Sequence, residues 1–212
     1  MNYVDNFAQK HLPSEKLQPD YVYDKEEFQF PEDLNCVEKL LDNHIKEGRG
    51  QNIAIRTFEK TWTFQDLYEK SNQIAHVLVD DLGLVSGNRV LIRSANNPMF
   101  VAIWFAILKA GGIVVATMPL LREKELEVMI DSAEISHAFC DYRLEEAMAS
   151  VKSEFLKQII TFDGTEISTS KLEVLMHNKP KEFTNFPSKA NAISLIGFTS
   201  GTTGNPKMTS HY

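Results

Sequence analysis

Arg89-Val-Leu-Ile-Arg-Ser-Ala-Asn-Asn-Pro98-Met-Phe-Val-Ala-Ile-Trp-Phe-Ala-Ile-Leu108-Lys-Ala-Gly-Gly-Ile-Val-Val-Ala116 decides the fold. Val90-Leu-Ile92 is an apolar run of strand length, and Ile113-Val-Val-Ala116 is a second. Between them, Asn97-Pro98 starts a helix, with a capping side chain followed by proline in the first turn, and Gly111-Gly112 stops it. Phe100, Val101, Ile103, Trp104, Phe105, Ile107 and Leu108 cover nearly the whole circumference of that helix, so it is expected to be buried. It is too short to span a bilayer.

Further short apolar runs at 137–140, 158–161 and 192–198 repeat the rhythm, alternating with helical patterns at 124–132, 144–155 and 169–177. Strand, helix, strand repetition implies an α/β fold, a mostly parallel sheet flanked by helices on both faces. Upstream, residues 36–47 place apolar side chains at 37, 40, 41 and 45, a helical stripe closed by Gly48 and Gly50. Residues 53–56 and 61–63 flank a polar turn and read as a hairpin. Thr63 with Asp66 forms a variant capping box ahead of a helix with apolar positions 67, 74, 75 and 78. Residues 1–35 mix acids with Pro13, Pro19 and Pro31 and with scattered aromatics, the pattern of an extended arm anchored by its rings across other surface. Residues 36–212 form the α/β part.

The chemistry is concentrated in Ile196-Gly-Phe-Thr-Ser-Gly-Thr-Thr-Gly-Asn-Pro-Lys-Met208. Gly201 and Gly204 can adopt positive φ, so that successive backbone N–H groups converge on an anion. Thr199, Ser200, Thr202 and Thr203 add hydroxyl donors, and Lys207 adds a full charge for phosphate oxygens. The apolar run before it hangs this loop from a strand end, where open α/β sheets place their ligands. A flexible linker does not fit between that strand and Pro206-Lys207. A Walker A loop requires adjacent glycine and lysine, and here Asn205 and Pro206 intervene. A hydrolase elbow requires glycine two positions before the serine, and Gly197 lies three before Ser200.

Phe198 to Lys207 resembles the phosphate loop of the adenylate-forming superfamily (acyl-CoA and aryl-CoA synthetases, luciferases and peptide-synthetase adenylation domains) at every characteristic position. Met208 departs from the glycine usual there, and His211 falls where the family commonly has histidine. Trp62-Thr-Phe-Gln-Asp-Leu67 resembles the family stretch Leu-Thr-Tyr-x-Glu-Leu. The run from Leu108 to Pro119 resembles Leu-Lys-Ala-Gly-x-x-Tyr-Val-Pro, with Val114 in place of the aromatic. Around the loop, Pro-Lys-x-Thr-x-His-Tyr is most similar to the ligases for benzoate and 2-aminobenzoate.

The resemblance implies an AMP-forming acid–thiol ligase that uses ATP, Mg2+ and CoA and activates a carboxylate, aryl in preference to aliphatic, as acyl-AMP. It assigns Thr199, Ser200, Gly201, Thr202, Thr203, Gly204 and Lys207 to the ATP phosphates. It also implies that the adenine and ribose contacts, the magnesium-binding acid and the terminal lysine lie beyond Tyr212. The chain then reads as the N-terminal part of a longer enzyme, with no catalytic residue of its own and a loop with no strand beside it. The alternative is a non-catalytic module with residual nucleotide-phosphate binding or a partner-contact role.

Composition is that of a globular protein, 43% hydrophobic and 24% charged. A net charge of −7 disfavours nucleic acid as a partner. Cys36 and Cys140 lie far apart with neither disulfide nor metal-ligand spacing, and read as reduced packing residues. His44, His76, His137 and His177 are isolated along the chain. With no leader pattern and no long apolar stretch, the expected location is cytoplasmic.

Overall fold

A computed structural model describes residues 3–20, 22–163, 171–199 and 206–212. It opens with the short helix α1 (Phe7–Lys10), and a π-helical turn (Glu38–Asp42) leads into α2 (Asn43–Lys46). The hairpin β1 (Ile53–Arg56) and β2 (Thr61–Thr63) precedes α3 (Phe64–His76). The alternation follows: β3 (Arg89–Arg93), α4 (Pro98–Lys109), β4 (Ile113–Thr117), α5 (Glu123–Ser132), β5 (His137–Asp141), α6 (Glu145–Ala149), β6 (Gln158–Phe162), α7 (Lys171–Met176), β7 (Leu195–Thr199) and β8 (Lys207–His211).

Six strands form one sheet in the order β6-β5-β3-β4-β7-β8. Every pairing from β6 to β7 is parallel and only β8 runs antiparallel, so the expected mostly parallel α/β class holds. The pleat separates two apolar clusters. Val90, Ile92, Val114, Phe139, Ile160 and Phe162 point toward α3, α4 and α7, where Ile74, Ile103 and Leu172 meet them. Leu91, Ile113, Val115, Ala138 and Cys140 point the other way, toward Leu126 and Ile130 of α5 and Met148 of α6. Strands buried on both faces are why the sequence shows continuous apolar runs rather than alternation.

Local signals act where they were read. Asn97 Oδ1 accepts from Phe100 N at 2.9 Å and caps α4. Gly111 adopts φ 78°, and a Cβ there would lie 2.5 Å from the Phe186 ring, so the helix stop also admits that ring. The capping box of α3 is complete: Thr63 Oγ1 accepts from Asp66 N at 3.1 Å, and Asp66 Oδ2 accepts from Thr63 N at 2.8 Å. Thr63→Ala should therefore lower stability by about 1 kcal/mol, a melting shift of roughly 2 to 4 °C by circular dichroism. No measurable shift would mean that the box adds nothing to the fold.

Three expectations need correction. The stripe at 36–47 is interrupted by the π-helical turn, whose extra residue leaves Leu40 56% exposed while Val37 and Leu41 are fully buried. The same turn points Asp42 inward. Helix α6 ends at Ala149 rather than 155, because the chain beyond it bonds to α5: Lys152 N donates to Glu127 Oε1 at 2.8 Å and Ser153 Oγ to Asp131 Oδ1 at 2.5 Å. Of the N-terminal aromatics, Tyr3 (against Phe186) and Phe7 are anchored, whereas Tyr23, Phe28 and Phe30 stay exposed.

Lys109 closes α4 with no exposed side-chain surface and donates to Asp42 Oδ1 at 2.6 Å and to Asn185 Oδ1 at 3.2 Å. Asn185 Nδ2 in turn donates to Asp42 Oδ2 at 2.6 Å, and the ammonium lies 4.9 Å from the Tyr68 ring centroid. Burial pushes the Lys109 pKa down, and the Asp42 carboxylate opposes that shift. The cluster joins three segments distant in sequence: 38–46, the end of α4 and the stretch at 183–186.

Candidate functional site

The loop that concentrates the chemistry is bounded by two paired strands. β7 and β8 form an antiparallel hairpin with Thr199 opposite Lys207, Gly197 opposite Thr209 and Leu195 opposite His211. Ser200, Gly201, Thr202, Thr203 and Gly204 lie outside the described residues, so of the predicted phosphate ligands the structure places Thr199 and Lys207. It sets them in direct register. Thr199 Oγ1 donates to Lys207 O at 3.4 Å, a long contact across the mouth of the hairpin. The expectation that no strand accompanies the loop is thus overturned: β8 supplies one, with all five residues of β7 paired to it.

The alternation of β8 puts Lys207, Thr209 and His211 on one face and Met208 and Ser210 on the other. Gly197 makes room on the first face, since a Cβ there would lie 3.0 Å from Thr209 Oγ1. Thr209 Oγ1 donates to Gly197 O at 3.2 Å and sits 3.3 Å from His211 Nε2. Thr209 entered the sequence reading only as the threonine of Pro206-Lys-x-Thr-x-His-Tyr212, with no structural role attached. The spacing Lys207-x-Thr209-x-His211 would have revealed it, had these polar residues been read as a strand.

Parallel strands end on the same edge as β7, and β3, β4 and β5 end there in the polar residues Arg93, Thr117 and Asp141. Arg93, 3% exposed at the end of β3, donates to Pro119 O at 3.1 Å and Leu121 O at 2.7 Å, tying down the loop after β4. Its Nη1 has no hydrogen-bond partner among the described residues. Asp141, at the end of β5, pairs with Arg143 at 2.6 Å and caps the turn that follows it. Burial works against ionisation of Asp141, but hydrogen bonds from the Arg143 side chain and backbone outweigh it and hold the carboxyl below its ordinary range.

Cys140, Cys36, His137, His44 and His76 lie away from the hairpin in packing or surface contacts. The Cys140 pKa is pushed up to about 12 by burial and the Cys36 thiol is raised for the same reason, so neither is a thiolate near neutral pH. His137 is lowered by burial and contacts Ser136 Oγ at 2.8 Å and Leu82 O at 3.0 Å. His44 stacks on Phe64, and His76 contacts Asp80 and Glu182 O. Among the described residues, no group of three His, Cys, Asp or Glu is placed to hold a metal ion, and no helix is long and apolar enough to cross a membrane.

Comparison with known proteins places this geometry. A family model described as AMP-binding enzyme matches residues 42–211. Human mitochondrial acyl-coenzyme A synthetase ACSM3 is 26% identical over 193 residues, covering 85% of this chain and 33% of that protein. The uncharacterized acyl-CoA ligase YtcI of Bacillus subtilis (strain 168) is 27% identical over 154 residues, covering 72% and 28%. Among solved structures, the anthranilate CoA ligase AuaEII in complex with anthranoyl-AMP aligns with a TM-score of 0.76 at 22% identity, covering 86% of this chain and 34% of that one. ATP-bound MatB from Rhodopseudomonas palustris aligns at 0.73 and 23%, covering 83% and 34%. The chain thus spans about a third of the length of the relatives it matches.

Proposed function

The chain belongs to the AMP-binding enzyme family, and from that premise we propose that it is the N-terminal part of an ATP-dependent acid–thiol ligase. That enzyme activates a carboxylate as acyl-AMP, prefers aryl acids, transfers the acyl group to CoA and works in the cytoplasm. In this reading residues 1–35 are an arm and 36–212 the N-terminal α/β part of the adenylation domain. The observation that carries it is the β7–β8 hairpin, which sets Thr199 and Lys207 in register on either side of residues 200–205 at the end of a sheet strand. The sequence from Pro206 to Tyr212 supports the aryl preference.

Thr199, Ser200, Gly201, Thr202, Thr203, Gly204 and Lys207 hold the β- and γ-phosphates, with magnesium entering as part of Mg–ATP. As the carboxylate attacks the α-phosphorus, negative charge moves onto the departing pyrophosphate. The hydroxyls, backbone N–H groups and the Lys207 ammonium stabilise that charge. The strand pairing fixes the backbone of Thr199 and Lys207 at the two ends of the loop. No residue of this chain acts as acid, base or nucleophile.

Exchange of labelled pyrophosphate into ATP tests the reading. The 212-residue chain alone is expected to show none above a no-enzyme control, and a protein of full family length containing it should exchange faster with benzoate or 2-aminobenzoate than with an aliphatic acid. Exchange by the isolated chain would overturn the fragment reading. No exchange by the longer protein with any of these acids would replace the ligase with the second reading, a phosphate-binding or partner-contact module.

A further inference from the structure

The hairpin that carries Thr199 and Lys207 stands on a narrow base. β7 pairs with β4 only at Val114 and Leu195, whereas all five of its residues pair with β8, and Ile196 packs in the apolar cluster of Ile113 and Val115. A second support comes from the N-terminal segment, which packs beside Ile196 and lines one cavity with residues 207–210 of β8. Ala8, 4% exposed, and Leu12 belong to the same apolar cluster as Ile196 and Phe198. Met208 and Ser210 face Leu12, Pro13, Leu17 and Pro19 across a cavity of about 470 Å³.

This segment is fixed at its start. Asp5 N donates to Ser86 O at 2.9 Å, and Val4 N to Ser86 Oγ at 3.1 Å. Asp5 Oδ2 accepts from Asn88 Nδ2 at 2.9 Å and forms an ion pair with Arg89, which is 2% exposed. The Phe7 ring lies 4.4 Å from that guanidinium, and Phe7 N donates to Asp5 Oδ1 at 3.0 Å. Gly87, at φ 91°, allows the close approach: a Cβ there would lie 1.9 Å from Asp5 O. The segment is therefore tightly held at Asp5, packed at Ala8 and spaced from the hairpin at Met208.

We propose that residues 4–19 form a clamp, anchored by Asp5 on Arg89 and bearing through Ala8 and Leu12 on Ile196 and Phe198, that positions the β7–β8 hairpin and through it Thr199 and Lys207. Asp5 is a positioning residue in this scheme, with no contact to the phosphate ligands. The functional consequence rests on the phosphate reading above, whereas the mechanical coupling does not. Removing the Asp5 carboxylate loosens α1, and the hairpin then keeps its β4 pairing and the core packing of Ile196 but loses the support of Ala8 and Leu12.

Amide hydrogen exchange on the 212-residue chain tests the coupling, with inorganic pyrophosphate as the ligand probe. In Asp5→Ala, which also leaves Arg89 of β3 without its carboxylate, the hairpin amides of residues 195–199 and 207–211 should exchange about tenfold faster relative to those of β5 and β6, with Asp5→Asn intermediate. Leu12→Ala, which keeps the anchor and removes the apolar bearing, should act in the same direction. Hairpin exchange that is unchanged, or that rises only in step with β5 and β6, would overturn the clamp. If the hairpin responds but the wild-type chain binds no pyrophosphate, the clamp stands and the phosphate reading falls. If pyrophosphate binds equally to wild type and Asp5→Ala with hairpin exchange unchanged, the clamp falls and the phosphate reading stands.

Discussion

Lys109→Ala should lower the stability of this chain by about 3 to 5 kcal/mol, the cost of leaving one member of a buried ion pair uncompensated. The side chain is fully buried, and Asp42, its partner at 2.6 Å, keeps only 10% of its side-chain surface. Asn185 holds the other Asp42 oxygen through an amide, which cannot balance the charge. At this chain length the loss corresponds to a melting shift of roughly 6 to 20 °C. Replacing both members by apolar residues of similar volume, Lys109→Met with Asp42→Leu, should recover most of it, since desolvation opposes the Coulombic gain of a buried pair. A shift below about 2 °C for Lys109→Ala would mean that the cluster is not what joins the three segments it connects.

That cluster also marks how far the sequence could be read. Lys109 lies in a stretch whose helix stop and following strand were legible, because a glycine pair and an apolar run are local signals. Its partner was not legible, since Asp42 turns inward only through the π-helical turn, and the turn's extra residue leaves no mark in apolar spacing. The sheet class was legible for a related reason. Strands covered on both faces must be apolar at every position, as Val90, Leu91 and Ile92 are.

β8 was missed because an edge strand with little burial needs no such run. Lys207-Met-Thr-Ser-His211 reads as an exposed tail, and its pairing with β7 is set by backbone hydrogen bonds. The phosphate reading of the loop is a proposal from residue types, whereas the face shared by Lys207, Thr209 and His211 depends on the strand and so stayed hidden. The clamp is beyond sequence patterning altogether, because Asp5 and Arg89 are brought together only by the fold.

Lys207→Ala, made in a ligase of full family length built on this chain, should reduce kcat/KM for ATP about ten- to hundredfold. The lost contact is charge-assisted, and such contacts contribute roughly 1.5 to 3 kcal/mol. The effect can be separated from folding. Lys207 is exposed and makes no ion pair among the described residues, and its strand pairing to Thr199 uses backbone groups that alanine retains. Stability should therefore change by no more than about 0.5 kcal/mol, as for an ordinary surface substitution. Kinetics with saturating carboxylate and varied ATP also locate where the contact acts. If the ammonium holds the phosphates equally in the ground and transition states, KM rises and kcat stays; if it meets charge that develops only as pyrophosphate leaves, kcat falls with kcat/KM. The second outcome is expected, because charge accumulates on the departing pyrophosphate. Unchanged kinetics would remove Lys207 from the phosphate site, and with it the observation on which the ligase reading of the hairpin rests.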